Sequence, residues 1–331
     1  MTRPGTIVLI FLALLTIAGF TMSLVVGPAA LTWATSLEAL LGGDNEAARL
    51  VMQEIRLPRA ILGAMIGATL GLSGAALQGF LRNPLADPGI LGISATAALG
   101  AVLAIYTGLS TLFPIALPLC AMAGAAVAAI VLRALSGPNA GTLTFILAGV
   151  AISSVAGAAT TLALNLSPNP FAALEIVFWM LGSLTDRSMV HVWLAAPFMA
   201  IGWVFLMSSG RGLDALTLGS SVAATLGSKP SRTQALVVLG SAISVGAATA
   251  VAGVIGFIGL VVPHLLRPLV GAQPSRLLPA SALGGAALLL AADVCVRVIA
   301  PARDIKLGVL TTLIGAPFFL WLVLKARREA R

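Results

Sequence analysis

Acid–base, nucleophilic and metal chemistry need donors gathered in one place, and this chain offers few. It has two histidines, His191 and His264, and two cysteines, Cys120 and Cys295, each in a separate stretch. Both cysteines fall inside apolar runs, so they read as small buried hydrophobes rather than as a disulfide or a metal site. No His-Glu-x-x-His pattern and no paired carboxylates occur within an apolar run, so neither a metalloprotease centre nor an acid–base dyad is expected. The sequence lacks a Gly-Lys dipeptide and therefore has no phosphate-cradling loop closed by lysine. Any nucleotide hydrolysis is expected on another chain. A single acid, Asp293, lies inside an apolar run. Such an acid is a functional candidate by default, for instance a proton relay. Arg297 stands four residues further on, and the plainer expectation is an ion pair along one helix.

The elements that hold these groups must be lipid-facing. Hydrophobic residues make up 59% of the 331 residues, charged residues 9%, and the mean hydropathy is +1.06, too little polar surface for a soluble globule of this size. The formal charge of +8 raises nucleic acid as a partner. The cations do not form a patch with interleaved aromatics; they sit at the ends of apolar runs, as membrane topology requires. Runs of about 20 apolar residues are expected to span near 6–26, 60–81, 93–107, 113–132, 142–164, 190–207, 234–251, 253–270, 277–296 and 307–324. Small residues at Ala29 and Ala30 behind a run that follows Arg3 also fit a cleaved leader, but the polytopic remainder favours an uncleaved first helix. An even number of crossings with both termini in the cytoplasm puts twelve of the 19 cations and three of the 11 acids inside, and seven of each outside. That asymmetry is the one the positive-inside rule demands. The stretch 234–266 is short for two crossings, and Gly253, Gly256 and Gly259 mark its expected reversal.

Two loops stand out. Glu54-Ile55-Arg56-Leu57-Pro58-Arg59 brings a pair of expectedly exposed arginines to the start of a run without charge from Ala60 to Leu81, in which Gly63, Gly67 and Gly71 recur every four residues. That spacing puts them on one helix face, where a neighbouring backbone can come close, either for tight packing or for sliding. The run stops at Arg82-Asn83-Pro84, and Asp87-Pro88-Gly89 restarts the chain as an N-cap followed by proline. The longest polar interruption, 208–232, carries Leu-Gly pairs at Leu218-Gly219 and Leu226-Gly227. It is expected to form two short helices, suited to a groove on a partner or lying at the interface as an ordinary loop.

Arg56-Leu57-Pro58-Arg59, Gln78-Gly79, Arg82-Asn83-Pro84-Leu85-Ala86-Asp87-Pro88-Gly89-Ile90-Leu91-Gly92, Gly256-Phe257-Ile258-Gly259-Leu260-Val261-Val262-Pro263-His264, Leu277-Leu278-Pro279, Gly308-Val309-Leu310-Thr311 and Ile314-Gly315-Ala316-Pro317 together resemble the signature of the FecCD family, the BtuC-like permeases. The resemblance covers nearly the whole chain. It implies an all-α type II ABC importer permease of about ten transmembrane helices, a single domain over 1–331 with a cytoplasmic coupling segment at 208–232, in a bacterial inner membrane. It further implies a second permease subunit, identical or paralogous, two ATPase subunits, a periplasmic substrate-binding protein and surrounding lipid. ATP and magnesium would be held by the ATPase, with no cofactor, metal or catalytic residue on this chain. By the same resemblance Arg56, Arg59 and Arg297 dock acidic residues of the binding protein. The ATPase contact maps to Leu218, Gly219, Ser220, Ser221, Ala223, Ala224, Leu226 and Gly227. Two departures stand out: Ser220, Ala224 and Thr225 replace the family's more polar coupling residues, and Asp304-Ile305-Lys306-Leu307 replaces its usual Glu-Leu-Pro. The function so implied is ATP-driven import of an iron chelate, first of all a ferric siderophore, with haem and vitamin B12 as the other cargoes. An ion-gradient-driven secondary transporter is the rival, and it would be expected to carry more midplane acids than Asp293.

Overall fold

Each apolar run expected to cross the membrane forms a helix, since without water only a helix or a closed barrel satisfies every backbone N–H and C=O. The computed structural model describes residues 3–29, 31–113, 115–137, 142–167, 170–300 and 305–329; Ala30 and Asp304 lie outside them. Among the described residues every regular element is helical. In chain order these are α1 (Arg3–Val25), α2 (Trp33–Leu40), α3 (Glu46–Leu50), α4 (Leu57–Leu81), α5 (Ile93–Tyr106), α6 (Leu109–Leu112), α7 (Ala116–Ser136) and α8 (Thr142–Asn165), then α9 (Pro170–Met180), α10 (Met189–Ser208), α11 (Gly210–Thr217), α12 (Ser220–Thr225), α13 (Pro230–Ala252), α14 (Ile258–Val270), α15 (Pro274–Ile299) and α16 (Leu307–Glu329). A π-helical turn, Val51–Arg56, leads into α4.

The ten expected spans correspond to α1, α4, α5, α7, α8, α10, α13, α14, α15 and α16. Among the described residues seven helical segments are long and apolar enough to cross a membrane by length and composition; α5, α14 and the described apolar part of α16 are shorter. Three expectations are corrected. Helix α14 starts at Ile258 rather than near 253, because Gly253 and Phe257 take left-handed backbone conformations, φ 72° and 68°, that interrupt the helix. The apolar helix α9 had no counterpart among the expected spans. Cys295 is exposed on α15 and Cys120 half-buried, so neither is a fully buried core residue, and both are free thiols.

Helix α4 occupies the centre, packed on α1, α10, α13, α14 and α15. Its closest neighbour is α15, which runs antiparallel beside it. A Cβ built on Gly67 would strike the carbonyl of Gly285, one on Gly71 that of Ser281, while Gly63 faces the Leu290 side chain and Gly79 faces Pro274. As one chain ascends the other descends in step, so the two helices stay in register from one end to the other. Backbone contact this close is the tight-packing form of a small-residue interface. Polar pins add to it: Trp203 Nε1 donates to Thr69 Oγ1 at 2.8 Å, and the Ser73 and Ser241 hydroxyls meet at 2.7 Å.

Candidate functional site

Helix α1 ends at Val25, and like any helix it leaves its last carbonyls without intrahelical partners. Arginines fill that deficit. Arg56 donates from Nη1 to the carbonyls of Leu24 and Val25, both at 2.9 Å, and from Nη2 to that of Ala29. Arg297 donates from Nη1 to the carbonyls of Ser23 (2.9 Å) and Val26 (2.6 Å) and from Nη2 to Ser23 Oγ at 2.7 Å. Cations here also complement the negative end of the helix dipole.

The same cluster contains Asp293, 1% exposed. Arg297 Nη2 reaches its Oδ2 at 2.8 Å, the expected pair four residues apart on α15. The partner from α4 is Arg59, which donates from Nε and Nη2 to Oδ1 at 2.9 and 2.8 Å. One buried acid is thus held by two guanidinium groups, one of them in a planar two-pronged contact. Three arginines against one carboxylate give this cluster a local excess of positive charge, although the side as a whole has as many acids as cations outside the spans. Beside it lies a crevice of ≈ 170 Å³ lined by Glu54, Arg59, Asp186 and Arg187 among others. Burial pulls the Arg187 guanidinium below its ordinary value, with Asp186 opposing.

At the far end of α4 and α15 sit α11 and α12. Leu213 and Leu216 of α11 and Ala223 of α12 point inward and are buried. Leu218, at the end of α11, and Leu226, at the end of α12, are 62% and 64% exposed, and Val222 of α12 is exposed as well. Gly219 turns the chain between the helices at φ 105°, a backbone conformation that only glycine adopts freely. Asp214 of α11 faces the start of α15: its Oδ1 accepts from the Ser275 N–H and its Oδ2 from Gln273 Nε2, each at 2.9 Å.

The sequence profile of the FecCD transport family matches residues 14–325. This chain belongs to the FecCD transport family. It is 42% identical over 283 residues to the cobalamin import system permease protein BtuC of Halobacterium salinarum, covering 85% of this chain and 75% of that one. It is 38% identical over 295 residues to the hemin transport system permease protein HmuU of Yersinia pestis, covering 86% of each. A solved metal-chelate-type ABC transporter in an inward-facing conformation superposes with a TM-score of 0.85 at 32% identity, covering 96% of this chain and 98% of that chain. The chain is accordingly a polytopic membrane permease of the ABC class, with the fold of such permeases.

The FecCD motifs, scattered in sequence, meet in space. Gln78, buried near the end of α4, donates to the carbonyl of Leu260 at 3.2 Å and accepts from Arg267 Nη2 at 2.7 Å. Arg82 closes α4 in a left-handed conformation, φ 48°, with its N–H on the Gln78 carbonyl. Asp87 then caps the Pro88–Leu91 turn by accepting from the Gly89 N–H at 2.8 Å. Burial pushes the Asp87 carboxyl up from its ordinary value, and the Gly89 N–H pulls it partly back.

The sequence-predicted residues divide. Arg56, expected to be exposed, is 3% exposed; its guanidinium is spent on α1, because the unpaired carbonyls there are nearer than any outside acid. Arg59 remains 15% exposed on its side chain. Among the predicted ATPase contacts Leu218, Ser220, Ser221, Ala224, Leu226 and Gly227 are exposed, Gly219 is half-buried, and Ala223 is buried beneath them. Sequence reasoning missed the link from Arg59 to Asp293 and the link from Asp214 to α15. Nothing local signals a contact between residues so far apart in the chain.

Proposed function

We propose that this FecCD chain is the membrane subunit of an ATP-driven importer that carries a large metal chelate from periplasm to cytoplasm by alternating access. The observation that carries this reading is the contrast between the two ends of α4 and α15: a local excess of positive charge around Asp293 at one, exposed apolar side chains on and beside α12 at the other. On the positive-inside assignment the arginine end faces the periplasm and both termini face the cytoplasm of an inner membrane. Arg59 receives a carboxylate of a periplasmic binding protein there, while Arg56 and Arg297, the latter 8% exposed and already spent on Asp293 and the end of α1, hold that end together behind it. The 208–232 segment meets a separate ATPase subunit, which binds ATP and magnesium. A second permease subunit completes the pathway. This chain performs no covalent chemistry.

A metal-chelate transporter, a cobalamin permease and a hemin permease are among the relatives. Within the class a ferric siderophore is the first candidate, with haem and cobalamin beside it.

Uptake into sealed vesicles bearing the assembled complex tests the reading. Transport of the cargo is expected to continue with ATP after proton and sodium gradients are collapsed, and to stop with a non-hydrolysable nucleotide. Loss of uptake with the gradients, ATP still present, would replace this reading with an ion-coupled one. Reversing Arg59 to Glu is expected to weaken binding-protein stimulation of the ATPase. A panel of chelates titrated against the binding protein identifies the cargo.

A further inference from the structure

The cytoplasmic and periplasmic functions assigned above need a physical connection, and the packing of α15 supplies one. Its first turn rests on Asp214 of α11, whose two carboxylate oxygens accept from Ser275 N–H and Gln273 Nε2 at 2.9 Å. A carboxylate at a helix N-terminus both satisfies free N–H groups and opposes the helix dipole. On one side the seat is packed, with Gly210 facing Ser275 and Leu213 lying with Pro274 against Gly79 at the end of α4; on the other a crevice of ≈ 260 Å³ opens between Gly79, Thr217 and Pro274. From Ser275 the helix rises about 27 Å to Asp293, at 1.5 Å per residue. There it is pinned to α4 by Arg59 and to the end of α1 through Arg297. Between the two ends the backbone-to-backbone steps at Gly67 and Gly71 leave no room for α15 to move independently of α4.

We infer that α15, locked to α4, is the strut through which the ATPase-facing segment and the binding-protein face sense each other, with Asp214 as its cytoplasmic joint and Arg59–Asp293 as its periplasmic one. The inference rests on the importer reading above. The upper joint is built to change state. Asp293 has two cationic partners, so a docking carboxylate can draw Arg59 away while Arg297 still neutralises the buried acid, and no charge is left uncompensated. The lower joint is two hydrogen bonds to one carboxylate, light enough to shift when the ATPase moves α11. Asp214 is therefore a positioning residue: it touches neither cargo nor nucleotide.

The test uses the complete complex, permease with its own ATPase and binding protein, in lipid nanodiscs. The quantity read is the ratio of binding-protein-stimulated to basal ATPase rate. Asp214→Ala removes both bonds and is expected to lower that ratio about tenfold, roughly threefold for each. Asp214→Asn, whose amide oxygen still accepts, is expected to lower it less. Gln273→Ala removes one bond from outside α11, with an expected loss of roughly threefold, and serves if Asp214→Ala does not assemble. A double-mutant cycle of Asp214→Asn with Arg59→Lys separates a strut from two local supports. Joints on one strut are expected to give non-additive effects on the ratio, whereas sites this far apart otherwise add. Additive effects, or stimulation unchanged in Asp214→Ala and Gln273→Ala, overturn the inference while leaving the importer reading intact. A wild-type complex that no binding protein stimulates brings down the importer reading itself.

Discussion

At one end of α15 a buried acid is gripped by two arginines while a third closes the carbonyls of α1; at the other, Leu218, Val222 and Leu226 stand out from two short helices held by glycine turns. The first region has nearly every polar group satisfied internally and keeps only a surplus of charge for a partner. The second has satisfied its backbone and keeps apolar area. Surplus charge steers association and sets orientation more than it adds affinity. Apolar area contributes a favourable transfer term when buried, roughly 25 cal/mol per Å² before the costs of association are met. The comparison teaches that a partner which visits and leaves belongs at the charged end, and one that stays belongs at the apolar end.

The largest expected effect breaks the charged end from within. Asp293→Ala leaves two arginines without their acid and is expected to destabilise the permease by about 3–5 kcal/mol, read as a fall in thermal unfolding temperature in detergent. A change no greater than that of a surface substitution would mean the cluster is water-filled and loosely held. Next comes the apolar end. Leu226→Asp is expected to weaken ATPase attachment by about 2 kcal/mol, the scale of a central interface residue, in a binding titration. The comparison sharpens when both partners are titrated at rising salt: attachment of the binding protein should fall steeply and that of the ATPase little, since screening acts on exposed charge. Equal salt dependence at both ends would erase the distinction.

The smallest effect concerns the loop after α4. The Asp87 carboxyl is raised from its ordinary value of 3.8 by burial, so the folded state holds that proton more tightly than the unfolded one. The sign follows from linkage: this group's contribution is most favourable at low pH and is lost as pH climbs from the unfolded value through the raised folded one. Asp87→Asn cannot titrate, so its stability relative to the parent is expected to improve over that window, by less than ~1 kcal/mol once the lost carboxylate cap is counted. Unfolding midpoints at several pH values for parent and variant check this, and a variant that loses stability relative to the parent as pH rises would reverse the assignment.

Much of this molecule was legible in the order of its residues. Long uncharged runs must become helices in lipid, and helices stand where those runs are. Proline and glycine placed the breaks: Pro84 and Asp87-Pro88 bracket the loop after α4, and the Leu-Gly pairs bracket α12, because those residue types restrict the backbone locally. The pairing of Asp293 with Arg297 was legible for the same reason, since four residues on a helix is a fixed distance. The burial of Arg56 was not, because it depends on where the end of α1 comes to rest. Only the packed bundle decided that Arg59 of α4 would share Asp293 with Arg297, or that Asp214 would seat α15. Local sequence sets dihedral angles and periodicity; which distant charges meet is set by how helices in close backbone contact align over their whole length.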